Sequence, residues 1–203
     1  MINYVIEAIK ARRSIRSYSD QPVSKELIEQ ILDAGRAAPS ALNTQPWKFV
    51  IITDRRLIGE LSSSIKSFMK RLYAFLPILR IFIGELRDEK TAGAVKRTAL
   101  GEGDTVFYKA PLLILIVSED KGRWVSVNCA LAAENMMLAA HSLGLGSCFI
   151  GKGSFMTKCG FPLEKLGIGR RHELEASLIF GYPKEFPKNA PERTTDNVVR
   201  RCE

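Results

Sequence analysis

The run PLLILIVS, Pro111 to Ser118, is apolar at consecutive positions rather than at alternate ones. Neighbouring side chains of a strand point to opposite faces of its sheet, so a strand of this composition needs apolar cover on both. It predicts the centre of a sheet enclosed between two further layers. A second apolar segment, Trp124 to Leu143, is rich in Ala and Met with almost no polar face. That pattern predicts a long helix buried in the core or against another subunit. WKFVIIT (Trp47 to Thr53), GSCFIG and ELEASLIFG read as further strands. Asn3 can cap a first helix with Val5, Ile6 and Ile9 on one face, fading near Arg12. Ser24 can cap a second, with Leu27, Ile28, Ile31, Leu32 and Gly35 facing inward and Pro39 closing it. Arg55 to Leu72 reads as a third helix. The pattern is α and β mixed, in one domain spanning residues 1–203. Residues 73–108 hold no sustained period and are expected to form a lid or excursion, and residues 182–203, with Pro183, Pro187 and Pro191, an extended arm.

Charge narrows the partners. Thirty Lys and Arg against 22 Asp and Glu leave a formal +8, which favours phosphate-bearing ligands, nucleic acid or an anionic surface. The four cysteines form no CxxC pair and only His141 and His172 could supply imidazole, so no metal site is expected. The N-terminus lacks signal-peptide features, and the most apolar stretch, YAFLPILRIFIG, is short and broken by Arg80. The expectation is a cytoplasmic protein with reduced thiols and no membrane partner.

Two motifs carry chemistry. KARRSIRSYSD, Lys10 to Asp20, can present Arg forks and a hydroxyl to one phosphate, because guanidinium groups make planar, bidentate, charge-assisted bonds. AAPSALNTQPWKF, Ala37 to Phe49, sets Ser40, Asn43, Thr44 and Gln45 between stiffening prolines. Amides that both donate and accept suit a heterocycle edge of alternating carbonyl and imide groups. GSCFIGKG resembles a phosphate loop, but Gly153 replaces the required hydroxyl residue and Cys148, Phe149 and Ile150 read as strand. His141 is expected to pack or cap, His172 to lie exposed, and Cys148 to fill core. Phe107 and Tyr108 are candidates for stacking on an aromatic substrate.

The order RRSIRSYSDQPVSKELIEQILDAGRAAPSALNTQPWKFVIITD, then AAENMMLAAHSLGLGSCFIG and an arginine in the C-terminal arm, resembles the nitroreductase family of FMN-dependent oxidoreductases. The resemblance covers most of the chain, least from Tyr73 to Tyr108. It implies an α+β three-layer sandwich, with a mixed sheet flanked by helices, in a domain-exchanged homodimer that holds two FMN sites at the subunit interface. It further implies two-electron transfer from NADH or NADPH to nitroaromatic, quinone-like or flavin acceptors by alternating half-reactions. On this resemblance Arg12 and Ser14, helped by Arg13, meet the FMN phosphate and ribityl chain, and Arg16 meets the pyrimidine edge of the ring. Ser40, Asn43 and Gln45 match the polar loop that reads the ring and ribityl chain. Gly151, with Ile150 and Lys152, matches the turn whose backbone amide approaches the hydride-accepting nitrogen. Arg193 matches an arm arginine that returns to the phosphate. No side chain is implied as catalytic, since the flavin carries the chemistry. Lys109, where relatives often have Asn, and Glu192, where a second basic residue is common, depart from the pattern. Two rival readings are a flavin-binding sensor or store without turnover and a basic nucleic-acid-binding module, although no nucleic-acid-reading motif accompanies the charge. A third outcome lies within the family: deiodination, flavin destruction or dehydrogenation of a peptide-like substrate.

Overall fold

The computed structural model describes residues 3–187, 189–194 and 197–202. Its helices are α1 (Tyr4–Ala11), α2 (Lys25–Arg36), α3 (Arg55–Ala74), α4 (Leu76–Phe82), α5 (Glu89–Leu100) and α6 (Val125–Ser142), and its strands β1 (Lys48–Ile52), β2 (Leu112–Ser118), β3 (Gly146–Phe149) and β4 (Glu173–Gly181). Asn3 and Ser24 accept from the backbone N–H groups of Ile6 and Leu27, so both expected caps form. Segment 73–108 holds the end of α3, then α4, a 3-10 turn (Gly84–Arg87), α5 and the loop that leads toward β2.

The strands form one sheet in the order β1-β2-β4-β3. Every residue of β2 is buried, as its continuous apolar run requires. Leu113, Leu115 and Val117 pack with Ile58, Leu61 and Ile65 of α3 and Val95 and Ala99 of α5. Leu112, Ile114 and Ile116 pack on the other side with Ile28, Ile31 and Leu32 of α2 and Ala132, Ala133 and Met136 of α6. The sheet therefore lies between two helical layers. Its strand pairings are all antiparallel, which corrects the expectation of a mixed sheet. The parallel pairing among the described residues is an isolated bridge, Ser14 to Ser147, too short to make a strand. No helix among these residues is long and apolar enough to cross a membrane.

Two apolar faces lack cover among the described residues. Val5, Ile6 and Ile9 of α1 share a face as the periodicity predicts, yet all three are exposed. Trp124, Val127 and Leu131 leave an apolar strip on α6, whose other side is core. Cys129, Cys148 and Cys159 are buried and Cys202 is exposed. Burial, with Glu175 adding, pushes the Cys129 thiol up to about 12, and burial also raises Cys148. A disulfide reagent at about pH 8 is expected to label one thiol per native chain and all four after unfolding. A second fast native thiol would contradict this packing.

Candidate functional site

Three segments far apart in sequence meet on the β3 side of the sheet. The first is Arg12 to Tyr18, which runs beside β3 and donates from the Ile15 amide to the Ser147 carbonyl, 2.9 Å. Ile15 and Tyr18 turn into the core, and the Tyr18 hydroxyl donates to the Ile15 carbonyl, 2.6 Å. Burial raises the Tyr18 pKa, so this hydroxyl stays a neutral donor. With those two residues pinned inward, Arg16 is left on the exposed side.

The second segment is the turn after β3. Ile150 donates its amide to the Ser177 carbonyl, 2.8 Å, and accepts from the Ser177 hydroxyl, 2.6 Å. That double tie holds Gly151 and Lys152 beside the middle of β4. The third is the loop 104–109. The Asp104 carboxylate accepts from the Ser62 hydroxyl and from the amides of Val106, Phe107 and Lys109, each amide bond 2.9 Å. Burial raises the Asp104 pKa, but these bonds outweigh it and hold the carboxyl below its usual range. The loop needs that hold because Tyr108 and Lys109 both have left-handed backbones, φ 56° and 55°.

Between these segments and α5 lies a cavity of about 420 Å³, lined by Arg16, Ala94, Arg97, Thr105, Tyr108 and Lys152. Lys152 donates from Nζ to the Thr105 carbonyl, 2.6 Å, and to the Tyr108 hydroxyl, 3.3 Å. The Arg16 guanidinium and the Lys152 ammonium lie 6.0 and 5.4 Å from the Tyr108 ring centre, within cation–π range. The lining carries three cations and no carboxylate. It suits a planar, electron-rich group that accepts hydrogen bonds along one edge.

The structure thus joins Arg16, Lys152 and Tyr108 and places Ser14 beside the Cys148 thiol, one strand from Gly151. Phe107 is fully buried, which corrects its expected place in a substrate pocket, and the Ile150 side chain is core. Arg12 ends α1 and donates to Glu134 of α6, 3.2 Å. Arg13 folds onto the carbonyls of Lys10 and Arg12 and leaves its buried Nε without a partner. Burial lowers the His141 pKa, and Arg12 and Arg13 lower it further. His172, expected to be exposed, is four-fifths buried: Nδ1 accepts from the Gly169 amide and Nε2 lies 3.2 Å from Glu119.

Ser40, Asn43 and Gln45 lie elsewhere in the chain. The Ser40 hydroxyl accepts from the Gln45 amide, Gln45 donates to Asn43, and Asn128 of α6 anchors the loop at Ala41 and Thr44. Leu42, Asn43 and Gln45 all have positive φ, and Leu42 is 98% exposed, so this loop stores strain and presents an apolar tip. Arg193 is exposed on the arm and, among the described residues, hydrogen bonds to none of the other expected site residues. Arg97 and Thr105 were not foreseen. They sit in the excursion, whose apolar pattern has no period long enough to show which face of α5 turns inward.

Residues 9–182 match the model of the Nitroreductase family. The chain belongs to the nitroreductase family. Relatives agree along its length. A Methanothermobacter thermautotrophicus protein, provisionally named an NADH dehydrogenase/NAD(P)H nitroreductase, is 33% identical over 191 residues, covering 90% of this chain and 79% of its own. The nitrobenzene nitroreductase of Ectopseudomonas oleovorans is 28% identical over 164 residues, 71% of this chain and 72% of its own. The crystal structure of a Bacteroides fragilis nitroreductase with bound FMN superposes with a TM-score of 0.73 at 28% identity, covering 100% of both chains.

Proposed function

We propose that this chain is an FMN-dependent oxidoreductase that passes two electrons from NADH or NADPH to nitroaromatic, quinone or related acceptors in alternating half-reactions. One observation carries the reading: Arg16 and Lys152, with Tyr108, face a single cavity whose lining holds no carboxylate. Two further details fit FMN. Among the described residues, no heavy atom beyond Gly151 and its two chain neighbours lies within 4 Å of where a Cβ on Gly151 would stand, so a flat ring can approach that backbone. The buried Ser147 hydroxyl and Arg13 Nε lack protein partners and offer polar contacts to a ribityl phosphate.

Bound FMN supplies the two-electron relay between donor and acceptor. Arg16, a fixed positive charge in the cavity lining, would stabilise the negative charge that a flavin gains on reduction. Lys152, oriented by Thr105 and Tyr108, reinforces it. Gly151, with open space beside it, would let the flavin ring approach its backbone amide. Arg12, Arg13, Ser14 and Arg193 serve the phosphate and ribityl chain. A second copy covers the α1 and α6 faces and brings its Ser40, Asn43 and Gln45 to this cavity. Bare Val5, Ile6, Ile9, Val127 and Leu131, with the strained Leu42 tip, support that pairing. Sedimentation equilibrium is expected to give about twice the chain mass of 22.7 kDa; a monomer that retains FMN would reject it.

The decisive experiment is anaerobic stopped-flow. The yellow holoprotein is expected to bleach with NADH or NADPH and to recover its colour on mixing with nitrobenzene or a benzoquinone. Retained flavin that neither donor bleaches would favour a store or sensor, and failure to retain FMN would reject the assignment. Arg16→Gln is expected to lower the two-electron potential of bound FMN by about 30 mV or more, equivalent to about 1.4 kcal/mol. An unchanged potential in a variant that still holds FMN removes Arg16 from the ring edge.

A further inference from the structure

Arg97 is the cation in the cavity that neither the flavin reading nor the loop architecture uses. Arg16 lies against Tyr108, and Lys152 is bound by Thr105 and Tyr108. Arg97 comes from the last turn of α5, in the excursion, and among the described residues its guanidinium has no hydrogen-bond acceptor or carboxylate partner. Its placement is built into the helix. One turn earlier stands Gly93, where a Cβ would meet Arg97 Nη1 at 3.2 Å, and the neighbouring lining position is Ala94. Small residues at both positions leave the guanidinium room along the cavity wall. Three cations around about 420 Å³ with no lining carboxylate repel one another, and an anion between them relieves this. On the flavin reading, Arg16 and Lys152 would answer the one negative charge of a reduced ring edge. Arg97 remains for a second anion.

We propose that Arg97 selects acceptors with a carboxylate on the aromatic ring, a substrate class distinct from the neutral nitrobenzene in the name of one relative. The proposal rests on the flavin reading of the same cavity. A ring carboxylate lies one ring's width from a reducible para substituent, so a guanidinium on the cavity wall beside Tyr108 can hold it while that substituent reaches the ring of the cofactor. Guanidinium forks pair with carboxylates by two parallel charge-assisted bonds, which an uncharged amide cannot reproduce. A phosphate of the donor dinucleotide carries the same kind of charge, so the test separates it from a ring carboxylate.

The test uses the FMN-loaded protein and non-reducible probes. Benzoate and benzamide are titrated by calorimetry and by perturbation of the flavin spectrum, with wild type, Arg97→Gln and Arg97→Lys. Wild type is expected to bind benzoate about tenfold or more tighter than benzamide. Arg97→Gln removes that preference with FMN still bound, and Arg97→Lys restores part of it. The kcat/KM ratio of 4-nitrobenzoate to 4-nitrobenzamide is expected to fall by the same factor. Equal binding of the two probes by wild type, or equal weakening of both in Arg97→Gln, overturns the proposal while the flavin reading stands. A KM change for NADPH without one for NADH, at unaltered benzoate affinity, overturns it in favour of the donor's phosphate. Loss of FMN from wild type rejects the underlying reading and this proposal together.

Discussion

Asp104→Ala is expected to lower unfolding stability by about 2–4 kcal/mol, because hydrogen bonds to a charged acceptor are worth about 1.5–3 kcal/mol each and water can replace only the more exposed of them. Four donors lose their acceptor: the Ser62 hydroxyl and the amides of Val106, Phe107 and Lys109. The loop they hold contains two consecutive left-handed residues, Tyr108 and Lys109, and nothing else compensates that strain so directly. In a chain of 203 residues the loss corresponds to a fall in Tm of about 4–16 °C. Tyr108 should also leave Arg16 and Lys152, so FMN retention weakens with it. The pH dependence has a definite sign. Since the folded pKa of Asp104 is held low, its contribution is complete above the unfolded carboxyl value of about 3.9 and is lost as pH falls through the folded value. Asp104→Asn, which keeps one acceptor oxygen, should lose less and should flatten the acid limb of the stability profile. Thermal unfolding between about pH 3 and pH 7 reads both effects, and an unchanged acid limb in Asp104→Asn would contradict the assignment.

Gly153→Ala is expected to cost about 2–4 kcal/mol, combining overpacking of about 1–3 kcal/mol with a lost hydrogen bond of about 1 kcal/mol. Gly153 is buried. A Cβ there would overlap the Ser177 hydroxyl and stand 2.7 Å from Ser177 Cβ, on the rigid strand β4. Rotating Ser177 aside would break its bond to the Ile150 carbonyl, which ties down the turn carrying Gly151 and Lys152. Cβ overlap would remain even then, so the turn must move and the cavity with it. The same substitution combined with Ser177→Gly removes the overlap, and the pair should recover packing while the Ile150 tie stays lost. Denaturant unfolding together with FMN titration separates the two effects. A single variant as stable as wild type, with unaltered FMN affinity, would show that the turn is not held as described.

Much of this was legible in the linear chain. PLLILIVS implied a doubly covered strand because alternation along a strand leaves no other way to bury consecutive apolar side chains. β2 is indeed buried at every position. Asn3 and Ser24 were recognisable caps because the geometry of a cap is local to about four residues. The stretch around Arg16 and the turn at Gly151 could be singled out by resemblance, and the structure brings Arg16 and Lys152 to one cavity. Phe107 and Tyr108 could not be separated in sequence: adjacent aromatics differ only in which way the backbone turns. The Asp104 bonds and the left-handed Tyr108 decide that, sending one ring into the core and the other to the cavity.

By itself the sequence determined the helical and extended segments, the doubly buried strand and the positive charge near the start of the chain, because each depends on residues a few positions apart. Only the tertiary structure decided that the sheet is antiparallel, that Arg97 of the excursion faces Arg16 and Lys152, and that the Ser40–Gln45 loop lies away from them within one chain. Those relations join groups tens of residues apart. They are settled by which apolar faces pack together and which strained turns are held, and no local pattern records that.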